Sequence, residues 1–152
     1  MKSLTTIMCM VLLSLSAVTS YSQTNRSGKA ALFTSFPTSI NCSESQLSSM
    51  FAASKGQSIN LSLGNNLSLS GAVTSKLTKY SNLQTIVVKL PAFKDALFSL
   101  SKQIDQNNNI HYVGRIMNPK YADGFELKRT ADGNYQLIKI DLEKILVDCS
   151  QL

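Results

Sequence analysis

The chain reads as an α+β domain, with one N-terminal amphipathic helix packed on a six- or seven-stranded antiparallel β-meander. Three observations predict this. Ser43-Glu44-Ser45-Gln46 fits a capping box, Ser43 standing at the N-cap and Gln46 three residues on. From residue 57 the apolar period changes from 3.6 to 2, with Ile59, Leu61 and Leu63 alternating with Ser58, Asn60 and Ser62. Asp132-Gly133 sits between two further alternating runs, a strong hairpin signal. The apolar face of such a sheet needs cover, and the helix is its natural lid. A half-closed β-barrel is the alternative closure.

The elements follow in order. Lys2, the apolar run Ile7 to Leu13 continuing through Val18, and the small-residue exit Ser20-Tyr21-Ser22 have the layout of a secretory signal peptide over residues 1–22. The run is too short to cross a membrane, which takes about 20 apolar residues. No stable membrane insertion is therefore expected once the signal is removed. Residues 23–30 are small and polar and read as a flexible leader, leaving 31–152 as a single domain. Ala31-Leu32-Phe33 is a candidate edge strand, and the Phe36-Pro37 step keeps the chain extended. The capping box then opens a helix over 44–55, with Leu47, Met50 and Phe51 as its apolar stripe and Gly56 placed to end it.

Gly64-Asn65-Asn66 turns Ile59–Leu63 into Leu67–Ser70 as a hairpin, and Ala72 to Tyr80 keeps a strand-like rhythm. Leu83 to Leu90, apolar on both faces at Ile86-Val87-Val88, belongs near the middle of the sheet. Strands over 96–104, 110–117, 125–129 and 135–140 complete the meander. Asp141 caps a short final helix through Leu142, Ile145 and Leu146.

Charge and cysteines narrow the function. The net charge is +6, one less without Lys2, and the basic residues are scattered singly except for Lys128-Arg129. That pattern describes a solvated surface rather than the clustered footprint of a nucleic-acid binder. With Cys9 lost in the signal, Cys42 and Cys149 remain, and in an oxidising compartment they are expected to pair. The loop closed would span about 107 residues, for which chain entropy supplies roughly 4–5 kcal/mol. Two cysteines and one histidine fall short of a zinc set, so no metal or cofactor is expected.

Catalytic signals are thin. His111 sits between Ile110 and Tyr112, six residues from Asp105, and reads as an exposed strand histidine. Asp105-Gln-Asn-Asn-Asn109 lacks the position-6 glycine and position-12 glutamate of an EF-hand loop. Most acids stand at helix starts or turns, and a glycosidase pair cannot be picked out by spacing. Asn25, Asn41, Asn60 and Asn66 head glycosylation acceptor patterns that are accidental in a bacterial host, which the compact signal peptide suggests.

Tyr112-Val-Gly-Arg-Ile116, Tyr121-Ala-Asp-Gly-Phe-Glu-Leu127 and Gly133-Asn-Tyr-Gln-Leu-Ile-Lys-Ile-Asp141 together resemble the prodomain meander of reprolysin-type secreted metalloproteases. The resemblance covers about 30 residues. No HExxH motif accompanies it, so it implies a free-standing inhibitor or chaperone-like module acting on a secreted protease. The chain also resembles small exported bacterial proteins of unknown function, a likeness that implies no activity.

The expectation that follows is a non-catalytic binding or interaction module, periplasmic or secreted, with a protein or glycan partner in the envelope or medium. A protease-inhibitor or prodomain-like module is the alternative, and a hydrolase with an unrecognised carboxylate pair the second. The loop 118–124, with Asn118, Lys120, Tyr121 and Asp123, is the candidate contact region.

Overall fold

Alternation of apolar and polar residues gives a strand one buried face, and from Ser58 onward it builds most of the molecule. The computed structural model describes residues 28–64 and 67–147. The signal peptide, most of the leader, Cys149, Asn25 and Asn66 lie outside the described residues.

Eight strands form among the described residues: β1 (Ser39–Cys42), β2 (Ser58–Leu63), β3 (Leu67–Tyr80), β4 (Leu83–Leu90), β5 (Ala96–Ile104), β6 (Ile110–Met117), β7 (Asp123–Arg129) and β8 (Tyr135–Asp141). They make one antiparallel sheet in the order β1-β8-β7-β6-β5-β4-β3-β2. Helix α1 (Glu44–Met50) separates β1 from β2, and α2 (Leu142–Val147) follows β8.

The sheet is curled into a half-barrel. Glycines inside strands allow the tight coiling. A Cβ on Gly114 would lie 2.8 Å from Ser99 O and 3.0 Å from Leu100 Cδ1, so β6 can press onto β5 only without one. The curl brings the two edge strands together, since a Cβ on Gly64 at the end of β2 would sit 3.1 Å from Ile40 Cγ2 on β1. Helix α1 fills the rest of the seam. Gln46 Nε2 donates to Ser62 O at 2.5 Å, occupying an acceptor on the free edge of β2.

The concave face holds the core, including Leu63, Leu69, Ile86, Val88, Phe98, Leu100, Ile116, Phe125 and Leu137. Leu47 and Met50 of α1 cover one end. Phe33 covers the other, fully buried, with ring centroids 5.2 Å from Phe125 and 5.5 Å from Phe93.

The capping box forms as expected, with Ser43 Oγ accepting from Gln46 N and Gln46 Oε1 accepting from Ser43 N. Other expectations need correction. The helix stops at Met50 instead of residue 55, because side chains claim the backbone beyond it. Lys76 Nζ donates to Phe51 O (2.6 Å) and Ala53 O (3.0 Å), and Gln57 Oε1 takes Ser54 N–H (2.6 Å).

Among the described residues there are eight strands instead of six or seven. Residues 67–70 and 72–80 are one 14-residue strand, β3, bent by irregularities at Val73/Ser75 and Thr78/Tyr80. Ala31-Leu32-Phe33 forms no strand. The edge strand is β1, whose Ile40 and Cys42 point inward.

Candidate functional site

The loop 118–124 is built into the fold. Asn118 is buried, donating from Nδ2 to Lys94 O (2.7 Å) and accepting Lys120 N–H at Oδ1 (3.0 Å). Asp123 is buried and accepts the N–H groups of Leu32 (2.5 Å) and Phe33 (3.0 Å). Tyr121 is half-buried, and only Lys120 of the four lies open. Lys29 Nζ donates to Pro119 O (2.7 Å) and Ala122 N–H to Ala30 O (3.0 Å), so the N-terminal segment lies along this loop.

Cys42 is buried and, among the described residues, a free thiol, with its Sγ 3.6 Å from Ile40 O, and burial pushes it up to about 11. Its expected partner, Cys149, is outside the described residues.

His111 and Asp105 do meet, Nε2 lying 3.2 Å from Oδ2. The carboxylate is committed elsewhere as well. Oδ1 accepts the N–H groups of Asn107 (2.8 Å) and Asn109 (2.9 Å), and Oδ2 accepts Asn109 Nδ2 (3.0 Å). The Asn109 bonds hold Asp105 well below the usual carboxylate range. This is the chemistry of a turn, with Asn108 at φ 61°. No group of three or more His, Cys, Asp or Glu gathers at one point among the described residues.

Two grooves remain. One, of about 590 Å³, is lined by polar groups of β1, α1 and the β7–β8 turn, among them Asn41, Ser43, Gln46, Thr130, Asp132 and Gln136. Its side chains bind mostly one another. Gln136 Nε2 donates to Asn41 Oδ1 (2.8 Å), Thr130 Oγ1 to Asp132, and Asn134 Nδ2 to Asp132 Oδ2 (2.7 Å).

The second, of about 490 Å³, crosses the convex face of β4–β7. Val87, Leu97, Val113 and Met117 form its floor, with Leu97 42% and Val113 62% exposed. Register explains the alignment. Val87 pairs with Ser99, Ser99 with Arg115, and Leu97 with Met117, so all point outward together.

Arg115 and Glu126 close one side as a cross-strand pair, Arg115 Nη2 to Glu126 Oε1 at 2.6 Å. Lys128 Nζ reaches Glu126 Oε2 at 2.8 Å, and Lys128 and Arg115 together lower the Glu126 carboxyl. Sequence reasoning missed this groove because its outward residues come from three strands, Val87 on β4, Leu97 on β5 and Val113 and Met117 on β6, which only the register brings side by side. The signal that could have found them is their parity, opposite to Phe98 and Ile116 on the same strands.

Among the described residues no helix is long and apolar enough to cross a membrane. The chain matches no protein-family model, no curated protein and no solved structure.

Proposed function

We propose that the protein is a non-catalytic exported interaction module that takes a polypeptide partner on the convex face of β4–β7. The observation that carries this is the groove floored by Val87, Leu97, Val113 and Met117. A sheet face open to water is ordinarily polar along its outward positions, and a contiguous apolar floor there costs solubility unless it is covered in use.

A polypeptide suits the floor better than a glycan, since the lining offers no aromatic ring on which a sugar could stack. The mature chain's net charge near +5 (the +6 of the full chain less Lys2) and the single positive excess of Arg115 and Lys128 over the Glu126 they share favour an acidic rim on the partner.

The test uses wild-type mature protein and the variants Leu97→Glu and Val113→Glu as bait against envelope and medium fractions, with Tyr80→Ser as an off-groove control. A polypeptide held by wild type and the control, and bound at least about tenfold more weakly by both groove variants, supports the reading. Equal retention by all four baits removes it.

A further inference from the structure

The β6–β7 ladder is incomplete. Register pairs run only from Met117↔Gly124 to Gly114↔Leu127, although β6 reaches back to Ile110 and β7 forward to Arg129. Beyond Gly114 the Tyr112 N–H goes to Tyr135 Oη instead, at 3.1 Å. The strands part around a cavity of about 390 Å³ lined by His111, Tyr112, Val113, Lys128, Arg129 and Tyr135, with Glu126 and Leu127 at its β7 side.

Three charged groups at this split are already answered. Glu126 takes both Arg115 and Lys128. Lys128 is thereby engaged, and Asp105, behind His111, is held by the Asn107 and Asn109 donors.

Arg129 differs. It has no ion-pair partner among the described residues. Its guanidinium is nevertheless positioned, with Nε 3.4 Å from Gly133 O and Nη1 3.4 Å from His111 Nδ1. One histidine tautomer satisfies both of its contacts, Nδ1 accepting from Arg129 and Nε2–H donating to Asp105. Tyr135, 2% exposed, accepts the Tyr112 N–H and so keeps its own O–H proton to give.

We propose that the split between β6 and β7 is a carboxylate-binding pocket, in which the Arg129 fork and the Tyr135 hydroxyl hold one carboxylate group. A planar guanidinium matches the two oxygens of a carboxylate side by side, which a point charge such as Lys128 does not. The proposal goes beyond the convex-face reading and stands without it. A small organic acid and a polypeptide's acidic group share this chemistry.

Uniformly ¹⁵N-labelled mature protein titrated with sodium acetate, at ionic strength matched by sodium chloride, tests it. Saturable shifts of the Tyr112 amide and Arg129 Nε resonances are expected. Arg129→Gln is expected to weaken binding by at least about tenfold, the loss of a charge-assisted hydrogen-bond pair. Lys128→Gln should change it by less.

A second arm compares an N-acetylated dipeptide bearing a free C-terminal carboxylate with its amide. Tighter binding of the free acid than of acetate, with none by the amide, identifies a polypeptide as the source. Equal binding of the dipeptide acid and acetate identifies a small acid. Shifts equal to those from chloride, shifts unchanged in Arg129→Gln, or stronger binding of inorganic phosphate than of acetate would each overturn the proposal. Folding of Arg129→Gln is checked by an unchanged amide spectrum away from β6–β8.

Discussion

Asp123, at the start of β7, accepts the backbone N–H groups of both Leu32 and Phe33, ninety residues earlier in the chain. This fixes how the concave face is closed. The carboxylate holds the turn that aims Phe33 down onto Phe93 and Phe125. Lys139 Nζ completes the clamp by donating to Phe33 O and Phe36 O, both at 2.7 Å. A segment with no regular structure thus becomes the sheet's second cover, opposite α1.

Removing the carboxylate leaves one buried donor (Phe33 N–H) and one part-buried donor (Leu32 N–H) without partners, and each such loss costs about 1–3 kcal/mol, less where water can reach. Asp123→Ala is therefore expected to lower unfolding free energy by about 2–4 kcal/mol, and Asp123→Asn, which keeps one acceptor oxygen, by less. Phe33→Ala empties the same site and should cost about 3–5 kcal/mol. Urea midpoints at constant slope check all three. An Asp123→Ala protein as stable as wild type would show that the clamp contributes nothing.

Legibility in the sequence followed the range of the interaction. The Ser43–Gln46 box was readable because every participant lies within four residues. The period-2 runs of β2, β5 and β6 were readable because burial alternates with the backbone pleat. The end of α1 was not, since it is set by Lys76 from β3. The place of Phe33 was not readable either, because its burial depends on Asp123 and Lys139, which lie ninety residues or more away. The four residues of β1 did carry a signal, with Ile40 and Cys42 alternating against Ser39 and Asn41, but the run is short. The β6–β7 split depends on register and on a side chain from β8, and no local pattern encodes it.

Gln46 links the cap to the seam, accepting Ser43 N–H and donating to Ser62 O. Ser43→Ala removes the cap alone and is expected to cost about 0.5–2 kcal/mol. Gln46→Ala removes its half of the box and also frees an edge acceptor of β2. Hydrogen exchange distinguishes the two. Protection should fall in α1 for both variants, and across β1–β2 only for Gln46→Ala.

Acid should weaken the fold through groups whose charged forms it favours. Asp105 is held low by Asn109, Glu126 by Lys128 and then Arg115, and Asp132 by Thr130 and then Asn134. A carboxyl depressed in the folded state contributes stability above its unfolded value of about 4, and that stability is lost as pH falls below it. Urea midpoints should be level from about pH 7 to about pH 5 and decline below about pH 4. Asp132 is exposed and Asp105 and Glu126 are half-buried, so about 1 M salt should flatten the decline in part. Asp105→Asn should show a shallower slope than wild type, and an identical slope would exclude Asp105 as a contributor.

Cys42 gives the opposite sign. Burial raises the thiol to about 11, so the folded state disfavours the thiolate. An unfolded cysteine ionises near about 8.5, so the associated stability is complete below that pH and lost as pH rises towards the folded value. The thiolate is the reactive species. Native Cys149→Ser mature protein at pH 8 should therefore react with a thiol reagent at least about a hundredfold more slowly than the urea-unfolded chain, at a rate set by opening. Equal rates would place Cys42 in contact with solvent. The same reagent tests the Cys42–Cys149 pairing expected from the sequence, in the unsubstituted mature protein denatured without reductant. No label supports the bond, and two labels remove it.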